Sequence, residues 1–597
     1  MNHSTKAELT AFYETQIKAH NIGIQKLKKI INWLAILRAL VFIAAVLSLY
    51  QYFNSNNHLF IFLFIFFAIF FFGLVTWHIQ KKQNKQLLEN KLRLAQNEWN
   101  VINGKENEFD DGSEFLQMSS YAADLDIFGR NSLFHALNRT VTFAGKLQLA
   151  QHFSNIILDK KTIKAYQEAL KTYSTQYTFI ENWIATALLH KKEHHQSDLL
   201  LKQWIVDLKK MKHVKYYNVV RWVLPAYTLA ALYIALNSGQ YFLLSIGIVL
   251  NWIHVIRVKN LNIQAFHFLS KNEEIIAQYH RLVETFQHVQ PGNSDILQEL
   301  KNNCKQANKS FQELAFITNL IHQQHNLLAS TLLNSLLMID VHSALSLNKW
   351  HNKYSLNFSK WIDSIADIDY LNTMAIYAHN HSAFVYAQLN EGELFMSAKN
   401  MSHPLLPEDI RVPNSFAFNN KGVRIITGSN MSGKSTFLRT VGVNVLLAQM
   451  GAPVCADEFL LSPMYIFSCI RITDSLQENH SYFMAELHRL YDIKKAINTH
   501  YPALVLMDEI LRGTNSADKF EGSTQFLEQM MQLPCIVLFA THDLKLSTLE
   551  KDYPGRISNF CFESIIEDTD IHFDYILREG VAQNKNATFL MKKMGII

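Results

Sequence analysis

Two stretches in the first half of the chain are apolar over lengths that set them apart from everything around them. From Trp33 to Tyr50 the only interruptions are Arg38 and Ser48. A polar loop is expected over Gln51 to His58, and then Leu59 to Trp77 runs for nineteen residues without a charge. A helix needs about 20 apolar residues to cross the hydrocarbon of a bilayer, so residues 33–77 read as a transmembrane hairpin. A second pair, Trp222 to Leu236 and Tyr241 to Ile256, is joined by Asn237-Ser-Gly-Gln240. These spans are shorter and hold Pro225, Asn251 and His254, so residues 206–260 read as a second membrane hairpin with a soluble helical hairpin as the alternative.

The remaining pattern divides in two. Residues 1–32 and 78–112 have helical periodicity with mixed charge, giving an N-terminal helix and a helical linker, with a polar break at Gly104 to Ser113. Long helical stretches follow at about 130–205 and 261–385, with few glycines or prolines. From about residue 400 short β-branched runs alternate with helices, which is the pattern of a parallel α/β sheet.

Charge orients the hairpins. Lys26, Lys28 and Lys29 precede the first, and Lys81, Lys82 and Lys85 follow it. Lys209, Lys210, Lys212, Lys215 and Arg221 precede the second, with Arg257 and Lys259 after it, while neither connecting loop has a Lys or Arg. The positive-inside bias then puts both ends of each hairpin in the cytoplasm. The expectation is a multi-pass protein of the inner (cytoplasmic) membrane with its N-terminus and all large polar segments cytoplasmic. These basic flanks also supply headgroup contacts, so a net charge of +5 in 597 residues does not argue for nucleic acid. The five cysteines are dispersed, with no CxxC pair, and read as reduced. At this length several domains are expected, and an apolar content of 49% rules out disorder.

Candidate chemistry lies in the α/β part. Val423 to Thr427 reads as a strand, followed by Gly428-Ser429-Asn430-Met431-Ser432-Gly433-Lys434-Ser435-Thr436 and a helix from Phe437 to Gln449. This is GxxxxGK[ST] between strand and helix, where backbone N–H groups and a helix N-terminus cradle phosphates. Lys434 is expected to reach the β- and γ-phosphates of ATP, and Ser435 to ligate Mg²⁺. Ala503 to Glu509 is an apolar strand ending in two carboxylates, Asp508 for Mg²⁺ and Glu509 as general base toward the attacking water. A third strand, Cys535 to Ala540, ends in Thr541-His542-Asp543, placing His542 to hydrogen-bond the γ-phosphate or that water.

The order GSNMSGKST, DEILRGTNS (Asp508 to Ser516) and ATHD (Ala540 to Asp543) resembles the ATPase domain of MutS DNA mismatch-repair proteins. His403-Pro404-Leu405-Leu406 is similar to that domain's entry, and Phe573 to Leu577 with Gly580 to its last strand. Asp126-Ile127-Phe128, Ser132-Leu133 and Leu137 to Thr142 with Gly145 resemble the start of the family's helical lever, so the likeness covers roughly 115–597. The resemblance implies an ATPase working as a homodimer through this domain, with Ser481 of the Arg471 to Glu486 stretch touching the partner's nucleotide in trans. That stretch is about two residues shorter than the family's, with Glu478-Asn-His480 ahead of the serine. Arg411-Val-Pro-Asn414 resembles the adenine loop, with Arg411 in place of the aromatic and able to stack on the base. Phe12-Tyr13-Glu14 is similar to the family's mismatch-probing Phe-x-Glu, but it sits inside a helical pattern without the preceding Gly-Asp. The family's mismatch-reading and connector domains have no counterpart ahead of residue 113.

The expected organisation is therefore multidomain: an N-terminal helix (1–32), a transmembrane hairpin (33–77), a helical linker (78–112), and an all-α lever (core) domain in two parts (113–205 and 261–385). The second hairpin (206–260) interrupts the lever where the family carries its DNA clamp, and a C-terminal α/β P-loop ATPase domain of ABC type (386–597) follows. The expected function is ATP hydrolysis coupled to binding of mismatched or branched DNA, as in mismatch repair. The alternative is an ATPase of the same descent acting on a membrane or protein partner without DNA. An ABC transporter is disfavoured, since no Leu-Ser-Gly-Gly-Gln signature precedes Asp508.

Overall fold

A computed structural model describes residues 5–55, 57–190, 197–208, 210–323, 326–392, 394–471, 482–497, 502–511, 514–567 and 570–583. It is mostly helical, with an α/β sheet domain at the C-terminal end.

The chain opens with two long helices, α1 (Lys6–Ser55) and α2 (His58–Ile102), folded back on each other. The turn is shorter than the polar residues suggested. Gln51 to Ser55 stay helical, and Asn57 starts α2 by accepting the Leu59 N–H at 3.0 Å. Neither helix contains proline, and Gly23 lies in close approach to Leu88, where an added Cβ would sit 2.8 Å from its Cδ1. The apolar runs are thus the adjoining ends of helices of 50 and 45 residues, α1 entering from one mixed-charge segment and α2 leaving into another. α2 ends at Asn103 and Gly104, the latter at φ +64°.

The polar ends of this pair are locked to the helical body. Glu98, with no exposed surface, receives Arg139 through Nε and, at 3.0 Å, Nη2, and takes a further bond from Asn380 Nδ2 at 2.9 Å. Glu181 holds His20 at 2.9 Å and Lys91 at 3.3 Å. Phe12 and Tyr13 pack edge-to-face on Tyr177, and the Tyr13 hydroxyl donates to Asn380 Oδ1 at 2.8 Å. Tyr13 is fully buried and Phe12 half-buried, so both rings serve packing, while Glu14 is exposed.

The helical body comprises α3 (Leu133–Leu137), α4 (Phe143–Ser154), α5 (Lys160–Tyr173), α6 (Tyr177–Ala187), α7 (Ser197–Asp207), α8 (Val214–Ser238), α9 (Phe242–Leu261), α10 (Ile263–Lys271), α11 (Glu273–Phe286), α12 (Asp295–His322), α13 (Leu327–Leu337) and α14 (Ile339–Asn380). α14, at 42 residues about 63 Å long, is its spine and buries Trp350, Phe358, Trp361 and Tyr370. Near its C-terminal end Asp369 caps α4 from a distance, accepting Val141 N–H at 3.0 Å, Thr142 N–H at 2.8 Å and the Thr142 hydroxyl at 2.7 Å. α8 and α9 form the second apolar hairpin, and α8 stays continuous through Pro225. Among the described helices, α1, α2, α8 and α9 are long and apolar enough to cross a membrane.

The C-terminal domain is built on strands β1 (Val385–Tyr386), β2 (Gln388–Leu389), β3 (Phe395–Met401), β4 (Asn414–Asn419), β5 (Gly422–Gly428), β6 (Pro453–Val454), β7 (Glu458–Leu461), β8 (Tyr465–Cys469), β9 (Ala503–Asp508), β10 (Cys535–Thr541), β11 (Ile557–Glu567) and β12 (Asp570–Glu579). Helices α15 (Lys434–Gln449), α16 (Tyr482–Ile497), α17 (Ser516–Met530) and the short α18 (Leu549–Asp552) complete it. The main sheet has the order β12-β11-β5-β10-β9-β8, parallel except for the edge strand β12. β5, β9 and β10 are buried along their whole length, as the unbroken Val/Ile/Leu runs of a two-sided parallel sheet require.

One apolar cluster runs from the helical body into this domain, joining Trp350, Phe153 and Tyr173 to Leu446, Met450 and Ile466. The closest junction is Gly451, at φ +76°, where an added Cβ would lie 2.5 Å from Tyr166 Cβ and 3.1 Å from the Gln167 backbone nitrogen. Gly451→Ala combines positive-φ strain with overpacking against α5, and we expect it to lower unfolding free energy by about 2–4 kcal/mol. A thermal melt within a degree of the unsubstituted protein would contradict this.

Candidate functional site

The central strands set the site. β10 lies between β5 and β9, pairing Thr541 with Thr427 and Ala540 with Asp508. The carboxyl ends of all three strands therefore finish side by side, the edge at which open α/β sheets bind ligands. Everything that follows each strand is delivered to one place.

The loop after β5 turns where glycine is required. Gly428 has φ +156°, and a Cβ there would come 2.7 Å from Ser432 Oγ and 2.9 Å from the Phe562 carbonyl. Gly433 has φ +103° and abuts the Tyr575 ring, and it leads straight into α15. Met431, also at positive φ, projects outward and is exposed. Lys434 is buried and arches back over its own loop, donating to the Gly428 and Ser429 carbonyls at 2.8 and 2.9 Å. The Ser435 hydroxyl donates to Asp508 Oδ2 across the strand ends. Ser435 and Asp508 form a pair of hard oxygen donors beside a lysine, and a Mg²⁺–phosphate unit fits that donor set.

Glu509 follows Asp508 in a left-handed conformation, φ +55°, and its N–H bonds the Ala540 carbonyl at 2.9 Å. This twist releases the chain from the sheet and presents the Glu509 carboxylate toward β10. His542 Nδ1 lies 2.7 Å from Glu509 Oε1, with the imidazole about half exposed. The carboxylate and imidazole can thus act together on one water. Leu511 is held by its N–H to buried Glu486 Oε1 at 2.7 Å, so the turn carrying Glu509 is anchored from α16.

A cavity of about 690 Å³ opens over the loop, lined by His403, Ile410, Val412, Asn430 to Phe437, Asp508, Glu509, Phe562 and Tyr575. Its size suits a nucleotide-scale ligand. Burial pushes the His403 imidazole down to about 4, and Nδ1 accepts the Leu405 N–H at 3.3 Å, so this wall is neutral at pH 7.

Arg411 departs from expectation. Its guanidinium lies over Phe384, 5.7 Å from the ring centroid, and Nη1 donates to Cys455 Sγ at 3.4 Å. It lines a different cavity of about 480 Å³, between the N-terminal end of α1, the end of α14 and the 404–411 loop. The cation finds an aromatic face and Glu408 on that side, while Ile410 and Val412 turn toward the nucleotide-sized cavity. Asn414 lines the nucleotide-sized cavity and also donates to the Tyr575 carbonyl at 3.0 Å and accepts the Leu577 N–H at 2.6 Å. That clamp fixes Tyr575 at φ +55° with its ring against Gly433. Tyr575 lines the cavity with Phe437 and Phe562, and the likeness of Phe573 to Leu577 to a last strand did not mark it as a site residue. Ser481 and positions 472–480 of the proposed trans loop lie outside the described residues.

The helical body is tied to the site by Asp124, another residue without a motif. Its carboxylate accepts the Ser468 hydroxyl at 2.6 Å and the Arg471 N–H at 2.8 Å, and its carbonyl accepts Arg439 Nε of α15 at 2.9 Å. Asp126 pairs with Arg471 at 2.7 Å and with Arg439 at 3.6 Å. The helix behind the Gly428–Thr436 loop and Arg471 just past the end of β8 therefore share one carboxylate cluster from the helical body.

Comparison with known proteins places this domain. Residues 424–595 match MutS domain V. The DNA mismatch repair protein MutS of Pseudothermotoga lettingae is 34% identical over 224 residues, 36% of this chain and 27% of that protein. MutS of Thermotoga maritima is 32% identical over 255 residues, 42% of this chain and 31% of the relative. The probable DNA mismatch repair protein Msh6 of Drosophila melanogaster is 31% identical over 199 residues, 32% and 17% of the two chains. The chain spans a third or less of the length of these relatives.

Proposed function

We propose that this chain, whose C-terminal domain belongs with the MutS family, is a membrane-anchored ATPase that couples ATP binding and hydrolysis in a homodimer to binding of mismatched or otherwise structured DNA. The observation that carries the ATPase reading is the convergence at one sheet edge of the Gly428–Thr436 loop, the Ser435–Asp508 pair and the Glu509–His542 pair.

In this reading the backbone N–H groups from Asn430 to Thr436 and the α15 N-terminus receive the phosphates. Lys434 exchanges its two carbonyl partners for β- and γ-phosphate oxygens. Ser435 and Asp508 hold Mg²⁺, which when bound supplies positive charge against the phosphate oxygens. Glu509 accepts a proton from the water that attacks the γ-phosphorus as the bond to the β–γ bridging oxygen breaks, giving ADP and phosphate. His542, bonded to Glu509, orients that carboxylate and reaches the same water. Tyr575, with Ile410 and Val412, forms the apolar wall for the base, taking the stacking role expected of Arg411. Tyr575→Ala should raise KM for ATP about tenfold with kcat little changed, as loss of one aromatic contact implies. An unchanged KM in steady-state assays would remove Tyr575 from the base site.

Membrane anchoring is supported by the exposed apolar surface of α1 and α2, where Trp33 and Phe42 face outward on a span interrupted only by Arg38 and Ser48, and Phe62, Phe66 and Phe72 on one without charge. Basic residues flank both hairpins on one side, which supports an inner-membrane location with the lever and ATPase domain cytoplasmic. A second reading, an ATPase moving a membrane or protein partner without DNA, is favoured by the buried Glu98–Arg139 pair. That pair ties the first apolar hairpin rigidly to the lever, so motion of the lever reaches the bilayer.

The deciding experiment is ATPase turnover of the detergent-purified protein with and without homoduplex, mismatched and branched DNA. The DNA reading expects stimulation and binding that weakens steeply with salt. No stimulation and no salt-sensitive binding would leave the second reading in its place.

A further inference from the structure

α13 is an isolated apolar helix on the outside of the helical body. From Leu327 to Met338 it contains no charged residue, and Leu327 and Leu328 are 78% and 84% exposed, with Leu332 also exposed. It meets α14 at an angle of 81°, the chain turning at Met338, φ +53°. Eleven residues make about 16 Å of helix, too short to cross a bilayer.

Its inner face is joined to the second apolar hairpin by polar bonds that exclude water. Asn251 of α9 has no exposed surface, and its Nδ2 donates to Thr228 Oγ1 of α8 at 3.1 Å and to the Ser335 carbonyl of α13 at 2.7 Å. Trp252 Nε1 donates to Ser335 Oγ at 2.9 Å. Most of the other polar side chains of α13 also bond within the protein. Thr331 Oγ1 donates to the Leu327 carbonyl at 2.7 Å, Asn334 Oδ1 accepts the Asp340 N–H at 3.0 Å, and Asn334 Nδ2 reaches Ser330 Oγ at 3.4 Å. An uncharged segment that turns Asn334 and Ser335 inward and presents leucine outward suits contact with hydrocarbon.

We propose that α13 is a third membrane-embedded element, inserted into the cytoplasmic-side leaflet beside α8 and α9 with Leu327, Leu328 and Leu332 against lipid acyl chains. The inference rests on the membrane reading of the second hairpin. Depth supports lipid as the occupant. The Asn251–Ser335 contact lies six residues before Arg257, about 9 Å of helix from the charged end of α9, within the 5–10 Å reach of interfacial helices. α13 also packs against α9, on which Val249, Ile253 and Ile256 are exposed. Three helices clasped at Asn251 form a wedge rather than a simple hairpin, so movement of α14 reaches the bilayer through Met338.

The test uses full-length protein carrying a bimane label on Leu328→Cys or, separately, Leu332→Cys, reconstituted into phosphatidylcholine–phosphatidylglycerol vesicles with and without acyl-brominated lipid. Both positions are on the exposed face, and the five native cysteines are buried. Val249→Cys on α9 serves as the reference for the second hairpin, and Leu356→Cys, an exposed leucine between Lys353 and Lys360, as the aqueous one. Labels at Leu328 and Leu332 are expected to lose at least about half their fluorescence to brominated lipid, as at Val249 and unlike Leu356. Quenching at Val249 with none at Leu328 or Leu332 overturns the α13 inference alone, and a blue-shifted but unquenched label there shows a protein covering instead. No quenching at Val249 overturns the membrane reading of the second hairpin and the inference together.

Discussion

Lys434→Ala should weaken ATP binding by about two orders of magnitude or more, the scale of a lost charge-assisted contact to phosphate in a buried site. The ammonium is buried and held by the Gly428 and Ser429 carbonyls, so it already sits over the loop that would receive the phosphates. Among the described residues lining the cavity there is no other Lys or Arg to substitute for it. Lys434→Arg should fail as well, because a planar guanidinium cannot take the two convergent carbonyl bonds of a compact ammonium. Equilibrium titration with a fluorescent ATP analogue measures the effect, and a thermal melt of the same variant separates it from misfolding. Binding by a folded Lys434→Ala protein within threefold of the unsubstituted one would refute the phosphate-loop assignment.

Glu509→Gln is expected to leave ATP affinity nearly intact while lowering kcat by about 10²–10⁴-fold, the usual worth of a positioned general base. Gln keeps the size of the side chain and can still meet His542 Nδ1, so the left-handed turn and its anchor at Glu486 should persist. What disappears is the capacity to take a proton. His542→Asn should give a smaller loss in kcat with KM unchanged, since imidazole acts through the carboxylate. Glu486→Gln distinguishes anchoring from catalysis, because a carboxamide oxygen can still accept the Leu511 N–H and turnover should be retained. Single-turnover hydrolysis with radiolabelled ATP reads all three, and near-normal turnover by Glu509→Gln would transfer the base role elsewhere.

Much of the site could be read locally because its parts are short segments with their own stereochemistry. Gly428 and Gly433 announce a backbone that must turn at positive φ and approach other groups closely, and the coordinates put both in that state. Strands ending in Asp508-Glu509 and Thr541-His542 could be ordered from their apolar runs alone. Arg411 and Tyr575 could not. Both depend on which way a side chain turns between two cavities, and that is decided by Phe384, Cys455 and Asn414, residues distant in sequence. Asp124 carries no motif either, because its partners Ser468, Arg471 and Arg439 lie more than 300 positions away.

The same division holds for the apolar helices. Their charge-free spans and basic flanks were visible, but the polar residues at 51–55 suggested a loop where the helix continues. Gln, Tyr, Phe, Asn and Ser are tolerated in a helix end, and only the Asn57 cap fixes where the next one starts. α13 escaped notice because an uncharged run of eleven residues falls short of a spanning length and looks like core. Its exposure became visible only with the body assembled around it.

By itself the sequence determined the mostly helical body, the α/β class of the C-terminal domain and the residues of the phosphate loop and strand ends, since each follows from local periodicity, glycine stereochemistry or short-range spacing. The tertiary structure decided which aromatic faces the base cavity, where Arg411 points, and how Glu98, Arg139, Asp124 and Asn251 join one element to another. Those choices depend on burial and on hydrogen-bond partners brought together from far along the chain, and no local pattern encodes them.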